Sequence, residues 1–306
     1  MRNTKRVWVA VAAAATVCAA VFGGIAWRRQ RTLTPASWLR RLPRQDTLIA
    51  YIDFAALRRA GILSLLDGSK VGEEPDYRSF VQKTRFDYKQ DLDAAMVAFA
   101  PSGKFMLLKG RFDWTSLRAY VQAQGGRCDN PLCRMTGSAP ERRISFFPVL
   151  SSLMALAVSQ DESAALRMTS PADAPGPEMP AAPVWLSIPP SALKPGSSLP
   201  AGTSMFARGM EQAESVLLTF APEGPRLAAR LEVRCRNEQD AADLSAQLAK
   251  ATGLLRQMIE RERQKPNPAD LSGVLAAGAF RSEGARVRGY WPIERAFIEN
   301  ALGQER

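Results

Sequence analysis

One pattern in this chain occurs twice, and that restricts its architecture more than any single motif. "FAPSGKFMLLKGRF" at 99–112 reads against "FAPEGPRLAARLEV" at 220–233 with an offset of 121. Upstream, "IDFAALR" at 52–58 matches "IPPSALK" at 188–194, offset 136. Downstream, Phe146-Phe147-Pro148-Val149 matches Tyr290-Trp291-Pro292-Ile293, offset 144. Three matches in one order, with offset changes that loops absorb, point to a diverged tandem duplication. The alternative is coincidence among common strand and turn patterns.

Each copy reads as strands joined by hairpins with helices between them. In the first, a strand at 47–53 leads to a helix from Phe54 to Leu66 and a second helix at 75–84. Strands at 95–100 and 105–112, a helix at 113–124 capped by Asp113, and a strand at 154–158 follow. The second has a strand at 184–188, a helix at 203–213, and strands at 215–220 and 226–234. A long helix over 237–264 is stopped by the prolines of "KPNP"; a hairpin of 273–282 with 285–291 and a helix at 292–302 end the chain. Between the copies, 169–183 is a Pro/Ala-rich linker. The expected class is α+β: two tandem repeats, 46–168 and 184–306, of antiparallel sheet with helices packed on one face. The sheets either lie side by side about a pseudo-twofold axis or merge; the pattern leaves both open.

Ahead of the body, residues 7–27, "VWVAVAAAATVCAAVFGGIAW", carry no charge over 21 positions. At about 1.5 Å per residue that spans the hydrocarbon of a bilayer, with Trp8 and Trp27 at the two interfaces. The segment reads as a transmembrane anchor, with a cleaved signal sequence as the alternative. It implies a cytoplasmic 1–6, single-pass attachment to the inner membrane, and a body outside the cytoplasm. The basic segment 28–45 follows, and Arg28, Arg29, Arg31, Arg40, Arg41 and Arg44 are candidates for contact with anionic headgroups; fixing topology would explain them equally well. Cys128 and Cys133 in "CDNPLC" enclose a turn that a disulfide can staple, as suits an oxidising compartment.

The formal charge of +11 belongs to the N-terminus. Residues 1–44 hold nine of the 41 basic residues and none of the 30 acidic ones, so 45–306 carry 32 against 30, a net of +2. That excludes a basic nucleic-acid-reading face. No histidine is present, which removes imidazole triads and imidazole metal sites.

The remaining motifs have structural explanations. Ser102-Gly103-Lys104 lacks the first glycine and the final hydroxyl of a phosphate loop, with Ala98 and Phe105 in those places, and reads as a hairpin turn. Ser191 to Lys194 fits Ser-x-x-Lys without the companion motifs, so a helix start explains it better. Asp76, Asp87, Asp91 and Asp93 lack the alternation of a calcium loop and read as solvated acids at a strand entry. Phe146-Phe147 and Tyr290-Trp291 suit core packing better than a ligand groove.

With the anchor, "DTLIAYIDFAALRRAGIL" and the repeat, the chain resembles uncharacterised membrane-anchored exported bacterial proteins with a duplicated α+β domain. The expectation is therefore a non-enzymatic envelope protein that binds a protein or a surface polymer, with no cofactor, metal, nucleotide or nucleic acid. A lipid or apolar-ligand binder is the alternative. A hydrolase using carboxylates alone, with Asp87 and Asp91 as its acids, comes third.

Overall fold

The computed structural model describes residues 34–63, 75–137, 139, 141–172, 179–193, 210, 213–224, 226–262 and 265–303. They fall into two units, one comprising Met1–Arg41 with Pro171–Met179 and the other Leu42–Ser170 with Pro180–Arg306. In the first, helix α1 (Pro35–Leu39) begins on a proline, whose missing N–H costs nothing at a helix start. The N–H of Ala172 donates to the carbonyl of Arg40 at 2.8 Å.

The second unit is built on one antiparallel sheet of 12 strands. Its first half holds β1 (Leu48–Ile52), β2 (Leu92–Ala100), β3 (Gly103–Gly110), β4 (Arg127–Asp129), β5 (Leu132–Thr136), β6 (Arg143–Leu150) and β7 (Leu153–Ser159). Its second holds β8 (Val184–Ile188), β9 (Ser215–Glu223), β10 (Arg226–Arg234), β11 (Ala279–Glu283) and β12 (Arg286–Ile293). The spatial order is β11-β12-β10-β9-β8-β1-β2-β3-β7-β6-β5-β4. Outward from the centre, β1-β2-β3-β7-β6 and β8-β9-β10-β12-β11 are the same path.

The seam is the antiparallel pair β1–β8, with Ala50 opposite Leu186, Tyr51 opposite Trp185 and Ile49 opposite Ser187. This corrects the expectation of a transmembrane helix followed by two tandem repeats. The first strand of each half would otherwise expose a row of unpaired N–H and C=O groups, and pairing the two edges satisfies both. Among the described residues no helix is long and apolar enough to cross a membrane. Residues 7–27 lie outside the described residues, and no transmembrane helix is supported.

Helices α2 (Phe54–Arg59), α3 (Pro75–Thr84), α4 (Tyr88–Asp91) and α5 (Trp114–Ala123) belong to the first half; α6 (Glu238–Arg261), α7 (Leu271–Ala276) and α8 (Arg295–Gly303) belong to the second. α5 is capped by Asp113, whose carboxylate accepts from the N–H groups of Thr115 and Ser116 and is held below the usual carboxylate range by those bonds. α6 is capped by Asn237 and carries Glu238 and Asp240 in its first turn, where the helix dipole favours them. Where strands 273–282 were expected, 271–276 is helical and the strand starts at Ala279. The expected helix at 203–213 lies almost wholly outside the described residues.

Residues directly opposite in an antiparallel ladder share a face. One row crosses eleven strands: Cys133, Phe146, Leu156, Met106, Val97, Ala50, Leu186, Leu218, Leu231, Gly289 and Phe280. It has no charged member, because this is the helix-covered face. α5 sets Leu117 and Val121 against Cys133, Phe146 and Met154. α6 sets Leu244 and Leu248 against Leu231, Val233, Val287 and Trp291. Each leucine so buried stabilises by about 1.5–3 kcal/mol.

Candidate functional site

The opposite face changes character from one half to the other. One of its rows runs Phe147, Ala155, Leu107, Met96, Tyr51, Trp185, Thr219, Arg230, Tyr290, Ala279. The next runs Ser145, Ala157, Phe105, Ala98, Ile49, Ser187, Leu217, Glu232, Arg288, Arg281. Neither row carries a charge in the first half, whereas in the second half one holds Arg230 and the other Glu232, Arg288 and Arg281. In the first half this face is closed: Ala155, Ala157, Leu107, Met96, Ala98 and Ser145 have no exposed surface. After β7 the chain folds back in a 3-10 turn, Ala164–Met168, lying against β6 and β7. The N–H of Ala165 donates to Oγ of Ser145 at 3.1 Å, which satisfies that buried hydroxyl.

In the second half, among the described residues, the chain does not return over this face after β12. It enters α8, whose Phe297 and Ile298 pack with the core of the helix-covered side. The uncovered strands form an open groove of 720 Å³, lined among others by Thr219, Arg230, Glu232, Arg281, Arg288 and Tyr290. Glu223 is its best-connected acid. It pairs with Arg230 at 2.6 Å and accepts from the Tyr290 hydroxyl at 2.5 Å. That bond, and then burial, raises the Tyr290 pKa above the usual phenol value. The Arg230 guanidinium lies 5.9 Å from the Tyr290 ring centroid. Further along, Arg286 pairs with Glu232 at 3.4 Å, and Arg288 and Arg281 both reach Glu283 at 2.8 Å. The groove thus presents both signs of charge on a fixed lattice of strands.

The sequence motifs find other places. Cys128 and Cys133 are directly opposite in the β4–β5 ladder and joined by a disulfide. Cys235 is a buried thiol whose pKa is pushed up by burial. Asp87 caps α4, accepting from the N–H of Lys89 and the hydroxyl of Tyr77, both at 2.9 Å. Burial and the bond to Asp87 raise the Tyr77 pKa. Asp91 accepts from the N–H of Asp87 and pairs with Arg111 at 2.9 Å. These acids organise a turn ahead of β2, and no group of three or more metal-ligating side chains occurs among the described residues. Asp93 is a partly buried residue of β2, and Asp76 lies in α3.

Phe146 and Phe147 are neighbours on one strand and so face opposite sides, as do Tyr290 and Trp291; neither pair lines an apolar groove. Phe146 and Trp291 are buried on the helix-covered side, whereas Tyr290 looks into the open groove. Arg40 and Arg41 are half-buried and Arg44 is exposed; burial, then Arg40, lowers the Arg41 pKa. Arg28, Arg29 and Arg31 lie outside the described residues, as does Lys194, while Ser191 sits in a 3-10 turn, Pro190–Leu193.

The groove did have a sequence signal. "RLEVR" at 230–234 and "RVRGY" at 286–290 put a polar or aromatic residue at alternate positions, as strands with one wet face do. "LMALAVS" at 153–159 is a continuous apolar run, as expected of a strand covered on both sides.

No protein-family profile and no curated protein matches the chain. Among solved structures it is similar to "Structure of crystal form I of TP0453", at 12% identity and a TM-score of 0.46, over 88% of this chain and 96% of that one. Crystal form III of TP0453 gives 12% identity and a TM-score of 0.46, over 86% of this chain and 97% of that one.

Proposed function

We propose that this chain is a non-enzymatic binding protein of the cell envelope, with its body outside the cytoplasm, that holds a protein partner on the open face of β9, β10, β12 and β11. The observation that carries the reading is the groove itself: the same sheet positions that are buried and apolar in one half are open and charged in the other. A protein partner fits better than a surface polyanion, because the arginines alternate with glutamates and leave no one-signed patch. An apolar ligand fits worse still, since Arg230, Glu232, Arg281 and Arg288 would each lose water on binding. The Cys128–Cys133 disulfide supports the location, since such bonds persist in oxidising compartments.

The test is a photo-reactive amino acid placed at Thr219 in the full chain, expressed in its own cells, with Leu166 of the covered half as the control site. A discrete protein adduct from position 219, absent from 166 and lost on charge reversal of Arg281 and Arg288, is the expected result. Identical adducts from both sites, or none from 219, would overturn the reading.

A further inference from the structure

Strands β9, β10, β11 and β12 carry six arginines and three glutamates, and no lysine or aspartate. All of them stand on the open face. Arg230, Glu232, Arg281 and Arg288 lie in the rows that cross it, and the others are an even number of residues from a member of those rows. Four of the arginines have a carboxylate each. Arg226 reaches Glu294 at 3.7 Å, Arg230 reaches Glu223 at 2.6 Å, and Arg234 and Arg286 reach Glu214 and Glu232, both at 3.4 Å. Arg281 and Arg288 divide differently. They are directly opposite in the β11–β12 ladder and share one carboxylate, with one oxygen of Glu283 for each at 2.8 Å. The excess positive charge of this face is therefore placed at one cross-strand pair.

Like charges directly opposite in a ladder destabilise it. Arg127 and Arg134 are also opposite, in the β4–β5 ladder, but each has an acid of its own, Glu162 at 3.0 Å and Asp129 at 2.7 Å. Among the described residues no second acid pairs with Arg281 or Arg288. Both line the groove, with side chains 69% and 45% exposed, so a partner can reach the two together. A guanidinium has five N–H donors, and one carboxylate oxygen does not saturate them.

On the reading that the groove binds a protein, we infer that the partner docks through an acidic segment and that Arg281 and Arg288 take one of its aspartate or glutamate carboxylates between them. A second carboxylate there gives one acid per arginine, as at β4–β5, and the guanidinium forks match its two oxygens. The same site disfavours a continuous polyanion. Glu232, directly opposite Arg288, and Glu223 line the same groove, and a charge repeated on every unit of a polyphosphate or acidic glycan would fall on them. A protein segment can space its carboxylates and set other side chains against those glutamates.

The photo-reactive residue at Thr219 in the full chain captures the segment, and mass spectrometry of the adduct reads its sequence. The segment should contain aspartate or glutamate, and changing those acids to their amides in the partner should lower the adduct yield about tenfold. Arg281→Glu with Arg288→Glu should lower it as far, and changing the partner's acids to arginine should then restore it. Both substituted side chains are at the surface, so the denaturation midpoint should hold and the loss reads binding. No adduct from position 219 would overturn the binding reading and this inference with it. An adduct whose segment has no acid, or whose yield ignores the amide changes, would overturn the inference alone and leave the groove a binding face. An adduct lost on phosphatase treatment would put a phosphate in place of the carboxylate and overturn it as well.

Discussion

Place the two halves strand on strand and the same ladder position holds Ala155 in one and Arg288 in the other, Leu107 in one and Glu232 in the other, Phe105 in one and Arg230 in the other. The backbone path is the same; what differs is where the chain goes after the fourth strand of that path, β7 in one half and β12 in the other. In the first half it folds back as the 3-10 turn Ala164–Met168, so the part of β6 and β7 beneath it is dry. In the second it leaves for the helix-covered side, and the face stays wet. Covering, and not strand propensity, decides which residues that face must carry.

The largest test of the comparison is to exchange chemistry between the halves. Ala155→Arg puts a guanidinium where no surface is exposed, beside Leu107 and Phe147. It should cost more than about 4 kcal/mol, because the site offers the charge neither water nor a partner. Chemical denaturation read by circular dichroism measures it, and a loss under about 1 kcal/mol would mean the first half's face is not closed.

The hairpin tips give the next effect. "FAPSG" and "FAPEG" occupy equivalent strand positions, since Phe99 faces Leu48 and Phe220 faces Val184. The turns nevertheless differ. The first closes with Ala100 opposite Gly103, the second with Glu223 opposite Arg226, so Pro222 is a strand residue paired with Leu227. Gly103, at φ +139°, lies so close to β7 that a Cβ would stand 2.6 Å from the Val158 carbonyl. Gly224, at φ +61°, has nothing within 4 Å of that position. Gly103→Ala should therefore cost more than about 2 kcal/mol and Gly224→Ala about 1 kcal/mol. Equal losses in thermal melts would show that φ alone, and not the approach of β7, requires the first glycine.

This pair of tips also shows how far the sequence could be read. The offsets of 136 for the first strands and 121 for the second agree with the ladders: Ile49 pairs with Ala98 and, 136 and 121 residues on, Trp185 pairs with Thr219. The offset of 144 does not, because Phe146 lies in β6 while Tyr290 lies in β12, whose place in the first half is taken by β7. Aromatic-Pro strings look alike in any strand, and only pairing separates them. The helix positions 114–123 and 238–261 were legible from caps and apolar spacing. The seam was not, because nothing local in "LIAYI" or "VWLSI" states which edge pairs with which. The groove was half-legible: alternation marks the strands as wet on one side, but no local pattern states that a chain reversal follows β7 and, among the described residues, none follows β12.

The sheet's two edges sharpen the comparison at about 2 kcal/mol. β4, the outer strand of the first half, is tied to β5 by Cys128–Cys133; β11, the outer strand of the second, carries Arg281 and Glu283 paired at 2.8 Å. Closing so short a loop restricts the unfolded chain by about 2 kcal/mol, whereas the exposed ion pair contributes less than about 1 kcal/mol. Changing both cysteines to serine should lower the denaturation midpoint accordingly, and Glu283→Gln should barely move it. The reverse ranking would mean that the ion pairs hold the second edge.

A pH scan distinguishes seam from groove. Tyr51 stacks on Trp185 across the seam with ring centroids 5.7 Å apart, and burial, then Asp53, pushes its pKa up to about 12. A phenol raised on folding leaves stability intact below its unfolded value of about 10, and stability falls as pH climbs from there through the folded value. Tyr290 is raised for a different reason, its bond to Glu223. Glu223→Gln should therefore lower the Tyr290 titration toward an ordinary phenol and leave the seam's alkaline transition in place. Tyrosinate absorbance with parallel melts from neutral pH to about 12 reads both; one transition that moves as a whole would show the two phenols to be coupled.

The smallest expected effect on folding is the most informative about function. Arg288 is half-exposed and its pairing with Glu283, at 2.8 Å, is a surface ion pair. Arg288→Ala should change stability by no more than about 0.5 kcal/mol, whereas a charge placed at the same ladder position in the other half is expected to cost more than about 4 kcal/mol. A side chain that folding does not need and that sits in a groove of 720 Å³ is free to serve a partner. Loss of the Thr219 adduct in Arg288→Ala, with the melting curve unchanged, would separate binding from stability at that position. A melting curve that falls by several kcal/mol instead would make the charged face part of the scaffold, and the two halves would then differ only in how they are held together.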